Sequence, residues 1–69
     1  MSDEDLVLGA EARRRLRHDL RTPLTVVAGF AEVLAADKPV ADEDRRDYAR
    51  RIGEAAAEIR DTLDDLLGA

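Results

Sequence analysis

Three neighbouring side chains carry the groups best suited to chemistry. His18, Asp19 and Thr22 bring an imidazole, a carboxylate and a hydroxyl into a span of five residues. In a helix, residues three and four positions apart are neighbours, so Thr22 would lie one turn from both His18 and Asp19. A neutral imidazole is a nitrogen nucleophile that can attack an electrophilic phosphorus. The spacing therefore favours phosphoryl chemistry at an outward-facing His18. An ordinary exposed histidine is the alternative interpretation.

Pro23 follows this group directly and interrupts a long helical pattern. Proline has no N–H to donate to the carbonyl of Asp19 and its ring crowds that carbonyl, so a helix must bend or end there. However, Leu16, Leu20 and Leu24 stay in phase across the proline. We therefore predict one continuous helix that is kinked at Pro23, in preference to the alternative of two helices that meet there.

Two helices must position these residues. The apolar periodicity predicts a first helix over about residues 10–36 and a second over about 42–67, with a loop at 37–41. We interpret residues 1–9 as an N-terminal leader or helix start, and residues 10–69 as one domain.

The ends and contact stripes of the helices can also be predicted. Asp42 suits the N-cap of the second helix, and Gly68 suits its C-terminal stop. The predicted contact stripes are two near-heptad series, namely Leu16, Leu20, Leu24, Val27, Ala31 and Leu34 on the first helix, and Ile52, Ala56, Ile59, Leu63 and Leu66 on the second. Further apolar positions widen both faces beyond what one hairpin covers. The predicted fold is therefore an all-α helical hairpin that dimerises into an antiparallel four-helix bundle.

Composition excludes several classes of function. The 69 residues are 45% hydrophobic, 39% charged and only 3% aromatic, which is typical of long helices. The net charge of −5 argues against nucleic-acid binding. With no cysteine and a single histidine, neither a disulfide nor a histidine-based metal site is expected. No apolar run is long enough to span a membrane, so we expect no direct membrane contact and a cytoplasmic location, whether or not a parent protein is anchored.

The stretch His18-Asp19-Leu20-Arg21-Thr22-Pro23-Leu24 resembles the H-box of sensor histidine kinases, in which His and an acidic residue precede Leu-Arg-Thr-Pro-Leu. The segments at 25–34 and 59–67 are also similar to that family. The resemblance covers about residues 11–67 and implies a dimerisation and histidine-phosphotransfer domain of the HisKA type.

The resemblance also implies a role for each motif residue. His18 would be the phosphoacceptor, which takes the γ-phosphoryl group of ATP and passes it to an aspartate of a response regulator. Asp19 would orient or polarise the imidazole, and Thr22 would position water when the regulator is dephosphorylated. Pro23 would be the bend through which the bundle switches between states.

A partner surface is predicted beside His18 on the first helix. At 100° per residue, Val26, Gly29 and Val33 fall on the outward side, with Phe30 at their margin. Exposed apolar residues suggest a contact surface, and the resemblance implies that the receiver domain docks there. Alternatively, Phe30 and Val26 pack against the second helix.

No residues of this chain match the Asn-containing helix or the Gly-rich lid of the family's ATP-binding domain. We therefore expect ATP and Mg²⁺ to bind on a separate catalytic domain, in cis or in trans, and no cofactor to bind this chain. A catalytically silent scaffold that dimerises and binds receivers is one alternative function. A stand-alone phosphotransfer shuttle between receivers is another.

Overall fold

A computed structural model describes residues 9–68, which form two long helices. Helix α1 spans Ala10–Ala35 and helix α2 spans Asp42–Leu67, with 26 residues in each and a connection at 36–41. This confirms the predicted all-α helical hairpin. The interpretation of residues 1–9 as a leader or helix start falls outside the described residues, Gly9 apart.

The hairpin is a rod that measures 52 × 20 × 17 Å. Its radius of gyration is 15.9 Å, whereas a compact domain of this length would have a value of about 11 Å. Two helices offer each other one face only, so most of the surface of each helix stays outside their contact. Among the described residues, only Pro23 and Ala55 are classed as buried.

Helix α1 continues through Pro23 without a break. This confirms one helix rather than two, and the bend at Pro23 stays a prediction. The continuity is physically reasonable because the proline ring is buried, which offsets the backbone hydrogen bond that a proline cannot donate. The helix ends at Ala35, one residue before the predicted end.

The start of α2 differs from the prediction. Ala41, in an extended conformation, occupies the N-cap, and no side chain caps the helix. Asp42 is the first helical residue, and its carboxylate accepts a 2.8 Å hydrogen bond from Arg45. The same guanidinium donates to the carbonyl of Val40 at 3.3 Å. The prediction of Asp42 as N-cap was therefore wrong, because Arg45 engages that carboxylate and ties it to the loop.

The end of α2 was predicted correctly. Gly68 adopts a left-handed conformation with φ of 71°, and its N–H donates to the carbonyl of Asp64 at 2.9 Å. Glycine reaches this conformation without a steric penalty, which is why it stops helices so often.

The two helices meet in layers that are spaced seven residues apart. The rings of Phe30 and Tyr48 stack near the loop, with centroids 5.0 Å apart. The helices run antiparallel, so the residue seven positions before Phe30 lies opposite the residue seven positions after Tyr48. These two residues are Pro23 and Ala55. Ala55 is only 6% exposed and Pro23 is buried as well, as this register requires.

The observed contact overlaps the predicted stripes but is centred to one side of them. Eight of the eleven predicted residues are half-buried, namely Leu16, Leu20, Val27, Leu34, Ile52, Ile59, Leu63 and Leu66. Leu24 was assigned to the stripe but is 51% exposed, and Ala31 and Ala56 are exposed as well. Pro23 and Ala55 occupy the centre instead. The apolar face of each helix is wider than one helix–helix contact, so periodicity alone did not distinguish the stripe that faces α2 from its neighbour. The unused stripe, which includes Leu24 and the 69% exposed Leu67, stays on the surface of the hairpin.

Candidate functional site

His18 lies in the third turn of α1 and points away from α2. Its side chain is 85% exposed, as the helix geometry predicted. The Nδ1 atom lies 3.5 Å from Oδ1 of Asp19, whose side chain is 50% exposed. This separation is longer than an ordinary hydrogen bond, so the pair is in loose contact. Because Nδ1 is turned toward Asp19, Nε2 is the ring nitrogen that is free to meet an incoming group.

The other motif residues divide between the two sides of α1. Thr22 is exposed one turn beyond His18, about 40° around the helix, so both side chains share the outward face. Pro23 is buried on the side that meets α2. The motif thus combines a surface carried by His18 and Thr22 with a packing residue immediately next to it.

Asp19 lies between the outward face and the helix contact. It lines an open groove of about 380 Å³ near the free end of the hairpin. The groove draws on both helices, with Ala12, Arg15 and Leu16 from α1, and Thr62, Asp65 and Leu66 from α2. The carboxylate of Asp19 therefore borders both this groove and the imidazole of His18. The neighbouring Leu16 is half-buried and holds this part of α1 in the helix contact.

The predicted partner surface forms a shallow hollow of about 250 Å³. It is lined by Thr25, Val26, Gly29, Phe30 and Val33, of which Val33 is 43% exposed. A Cβ atom added to Gly29 would meet nothing within 4 Å, so nothing within the hairpin requires a glycine at that position. The hollow is apolar and open, and its role in binding a partner stays a prediction.

Phe30 has a second contact that limits its freedom. The ring is half-buried and stacks on Tyr48 of α2 at an interplanar angle of 25°, so one side of it belongs to the helix contact. The guanidinium of Arg51 lies 5.9 Å from the centroid of the same ring. This contact confirms, for Phe30, the alternative interpretation that the residue packs against the second helix. Which residue of α2 it meets depends on the register between the helices.

A charged network surrounds that aromatic pair on α2. Asp47 accepts hydrogen bonds from Arg51 at 2.9 Å and from Arg50 at 2.6 Å, and Arg50 also donates to Glu54 at 2.7 Å. The hydrogen bond from Arg51, followed by that from Arg50, lowers the pKa of the Asp47 carboxyl. The hydrogen bond to Asp47, followed by the charge of Glu54, raises the pKa of Arg50. The spacing of three and four residues is the signal that predicts such pairs.

Two further features of residues 9–68 bear on function. No group of three or more histidine, aspartate or glutamate side chains in this range could hold a metal ion. Neither described helix is both long enough and apolar enough to cross a membrane.

The helical hairpin, the exposed His18 and the adjacent Asp19 are consistent with a histidine-phosphotransfer domain. Residues 14–68 match the family described as the His Kinase A (phospho-acceptor) domain, and the chain belongs to this family. It is thus a phosphoacceptor and dimerisation domain of the histidine-kinase type. No solved structure matches the chain.

The chain is also similar to curated histidine kinases. It is 36% identical over 55 residues to the cell-division control histidine kinase PdhS of Brucella ovis, with the same identity to the PdhS proteins of Brucella suis and Brucella melitensis. Each match covers 77% of this chain. The chain spans about 5% of the length of these relatives.

Proposed function

We propose that His18 accepts the γ-phosphoryl group of ATP and transfers it to an aspartate of a response-regulator receiver domain. ATP and Mg²⁺ are held by a separate catalytic domain, in cis or in trans, and the reaction takes place in the cytoplasm. The observation that carries the proposal is the 85% exposure of His18 with its Nδ1 atom turned toward Asp19. This arrangement leaves Nε2 accessible to a phosphorus atom on another domain.

The chemistry follows from that arrangement. With the imidazole proton on Nδ1, facing Asp19, the lone pair lies on Nε2. Attack of Nε2 forms the N–P bond while the bond from phosphorus to the bridging oxygen of ADP breaks, and ADP leaves with that electron pair. The positive charge that develops on the ring is stabilised by the carboxylate of Asp19. In the second transfer, a receiver carboxylate attacks phosphorus and the electron pair returns to Nε2.

Thr22 is assigned to dephosphorylation of the receiver in this proposal. Thr22 and His18 share the outward face, so a receiver that docks over His18 also meets the Thr22 hydroxyl. That hydroxyl positions a water molecule against the aspartyl phosphate. Attack by the water releases inorganic phosphate and restores the aspartate carboxylate.

The hollow below His18 is the proposed docking surface for the receiver. Gly29 and Val33 are exposed beside the phosphoacceptor, the half-buried Val26 adds apolar area, and the stacked Phe30 forms the rim of the hollow. An apolar surface next to the reacting group places the receiver without interfering with the imidazole.

The dimer interface is proposed on the face of the hairpin that points away from His18. Leu24, Ala31, Ala56 and Leu67 form an exposed apolar stripe that lies away from His18. The hairpin buries little within itself, and a domain of this size usually needs a further source of burial. A second copy that covers the stripe completes an antiparallel four-helix bundle.

The experiment uses purified chain, a histidine-kinase catalytic domain, Mg²⁺ and radiolabelled ATP. We expect an acid-labile phosphoryl label in the wild type and none in His18→Gln. Thr25→Ala, an exposed substitution that retains the histidine, serves as the labelling control. Label that persists in His18→Gln would overturn the proposal.

Adding a purified receiver domain to the experiment distinguishes the proposal from the silent-scaffold and shuttle functions. Transfer of the label to a purified receiver supports the proposal. Receiver binding with no label on His18 would indicate a silent scaffold, and label that arrives only from a phosphorylated receiver would indicate a shuttle. For phosphatase activity, Thr22→Ala should slow dephosphorylation of the receiver while leaving the labelling of His18 intact. Arg46→Gln, an exposed substitution on α2, should change neither.

A further inference from the structure

The turns that surround His18 are strongly basic in an acidic protein. Residues 10–21 contain five arginines and only two carboxylates, Glu11 and Asp19. Their net charge is therefore +3, whereas the whole chain carries −5. A positive charge so concentrated beside one nucleophile raises the local concentration of anions.

Three of these arginines share the outward face with His18. At 100° per residue, Arg14 and Arg21 lie about 40° and 60° to one side of His18, and Arg15 lies about 60° to the other. Side chains in a helix lean toward its N-terminus, over the residues three and four positions earlier. The imidazole of His18 therefore leans over the turn that carries Arg14 and Arg15. Arg13 belongs to the same run but lies about 140° from His18.

The described structure leaves both guanidinium groups available for a ligand. On α2, Arg45, Arg50 and Arg51 are each held by a carboxylate of their own helix. Arg14 and Arg15 are exposed, and neither forms an ion pair with any carboxylate of residues 9–68. Arg15 even lines the groove that contains Asp19 and Asp65 without pairing with either.

We propose that Arg14 and Arg15 form an anion site for the phosphoryl group that is carried by His18. The inference rests on the proposed function of His18 and adds two residues that bind the transferred group. A guanidinium donates paired hydrogen bonds whose geometry matches phosphate oxygens, and its charge does not titrate near neutral pH. The site therefore offsets the negative charge on the oxygens of the phosphoryl group that is bonded to Nε2.

The first test phosphorylates His18 chemically with phosphoramidate, without ATP or any catalytic domain. We expect Arg14→Gln/Arg15→Gln to be labelled several-fold more slowly than the wild type. The matched control is Arg13→Gln/Arg46→Gln, which removes the same charge from two exposed arginines away from His18. Equal slowing in both double variants would mean that only net charge matters, and would overturn the site.

A lysine double variant and a measurement at high salt extend this test. Arg14→Lys/Arg15→Lys retains the charge and should recover most of the labelling rate. The difference between the wild type and the glutamine variant should shrink in about 0.5 M NaCl, because salt screens exposed charges. A difference that stays unchanged in high salt would contradict the electrostatic site.

The second test follows the phosphorylated chain by 31P NMR as a function of pH. Nearby guanidinium groups favour the dianion, so the pKa of the phosphoryl group should be higher by about 0.5 in Arg14→Gln/Arg15→Gln than in the wild type. The control double variant should match the wild type. Identical values in all three proteins would overturn the proposal. Because phosphoramidate needs no kinase, a failure here is distinct from a failure of a catalytic domain to label His18.

Discussion

The ring of Phe30 in α1 stacks on the ring of Tyr48 in α2, with centroids 5.0 Å apart and planes inclined by 25°. This pair joins the helices near their connecting loop. Phe30 also lines the hollow beside Val26 and Val33, so the same ring supports the helix contact and borders the proposed docking surface. The shape of that surface thus depends on a residue of the second helix.

Replacing Phe30 by Leu should destabilise the hairpin. The substitution keeps an apolar side chain but removes the aromatic stacking and the cation–π contact with Arg51, so we expect the free energy of unfolding to fall by about 1 kcal/mol. Urea unfolding, followed by circular dichroism at one fixed protein concentration, measures this change. Tyr48→Phe retains the ring and should stay within about 0.5 kcal/mol of the wild type. Equal losses in the two variants would contradict the stacking argument.

The lowered pKa of Asp47 predicts a defined response to acid. The folded-state pKa lies below the unfolded value, so the charge of Asp47 stabilises the protein above the unfolded pKa. That contribution is lost as the pH falls through the lower, folded-state value. In an NMR titration, Arg51→Gln should raise the pKa of Asp47 more than Arg46→Gln does, because the hydrogen bond from Arg51 is the largest cause. An unchanged pKa in Arg51→Gln would disprove that attribution.

Some features of the protein followed from its sequence and others did not. Helix termination at Gly68 and the exposure of His18 were predictable because both depend on local backbone geometry. The exposure of Leu24 and the burial of Ala55 were not, because several adjacent stripes of each helix are apolar and only the register decides which one meets the other helix. Asp42 had the chemistry of an N-cap, but Arg45 competes for its carboxylate. Packing of Phe30 on the second helix was one of two interpretations of the sequence, but its stacking on Tyr48 needed the three-dimensional register.

The proposed dimer stripe can be tested by a pair of charge substitutions on α1. Leu24 is 51% exposed and Val33 is 43% exposed, and they lie about 180° apart around the helix. Leu24→Glu would bury an unpaired charge between two copies, so we expect dimer affinity to fall at least about tenfold. Sedimentation equilibrium measures this change. Val33→Glu should leave the dimer intact, and dissociation in both variants would argue against a dimer stripe centred on Leu24.

Gly29 and Gly53 allow the docking surface to be tested without adding a charge. A Cβ atom meets nothing within 4 Å at either position, so Gly29→Ala and Gly53→Ala should each raise helix stability by up to about 1 kcal/mol. Only Gly29→Ala fills the proposed docking hollow, so it alone should slow phosphoryl transfer to a receiver. Thermal unfolding and single-turnover transfer measure the two effects. Unimpaired transfer in Gly29→Ala would remove Gly29 from the interface.

The most direct test of the central claim identifies the ring nitrogen that becomes phosphorylated. The Nδ1 atom of His18 faces Asp19 at 3.5 Å, and Nε2 faces outward. After incubation with a histidine-kinase catalytic domain and ATP, 31P NMR of the chain should show one phosphohistidine, with the phosphoryl group on Nε2. A phosphoryl group on Nδ1, or on a residue other than His18, would contradict the account.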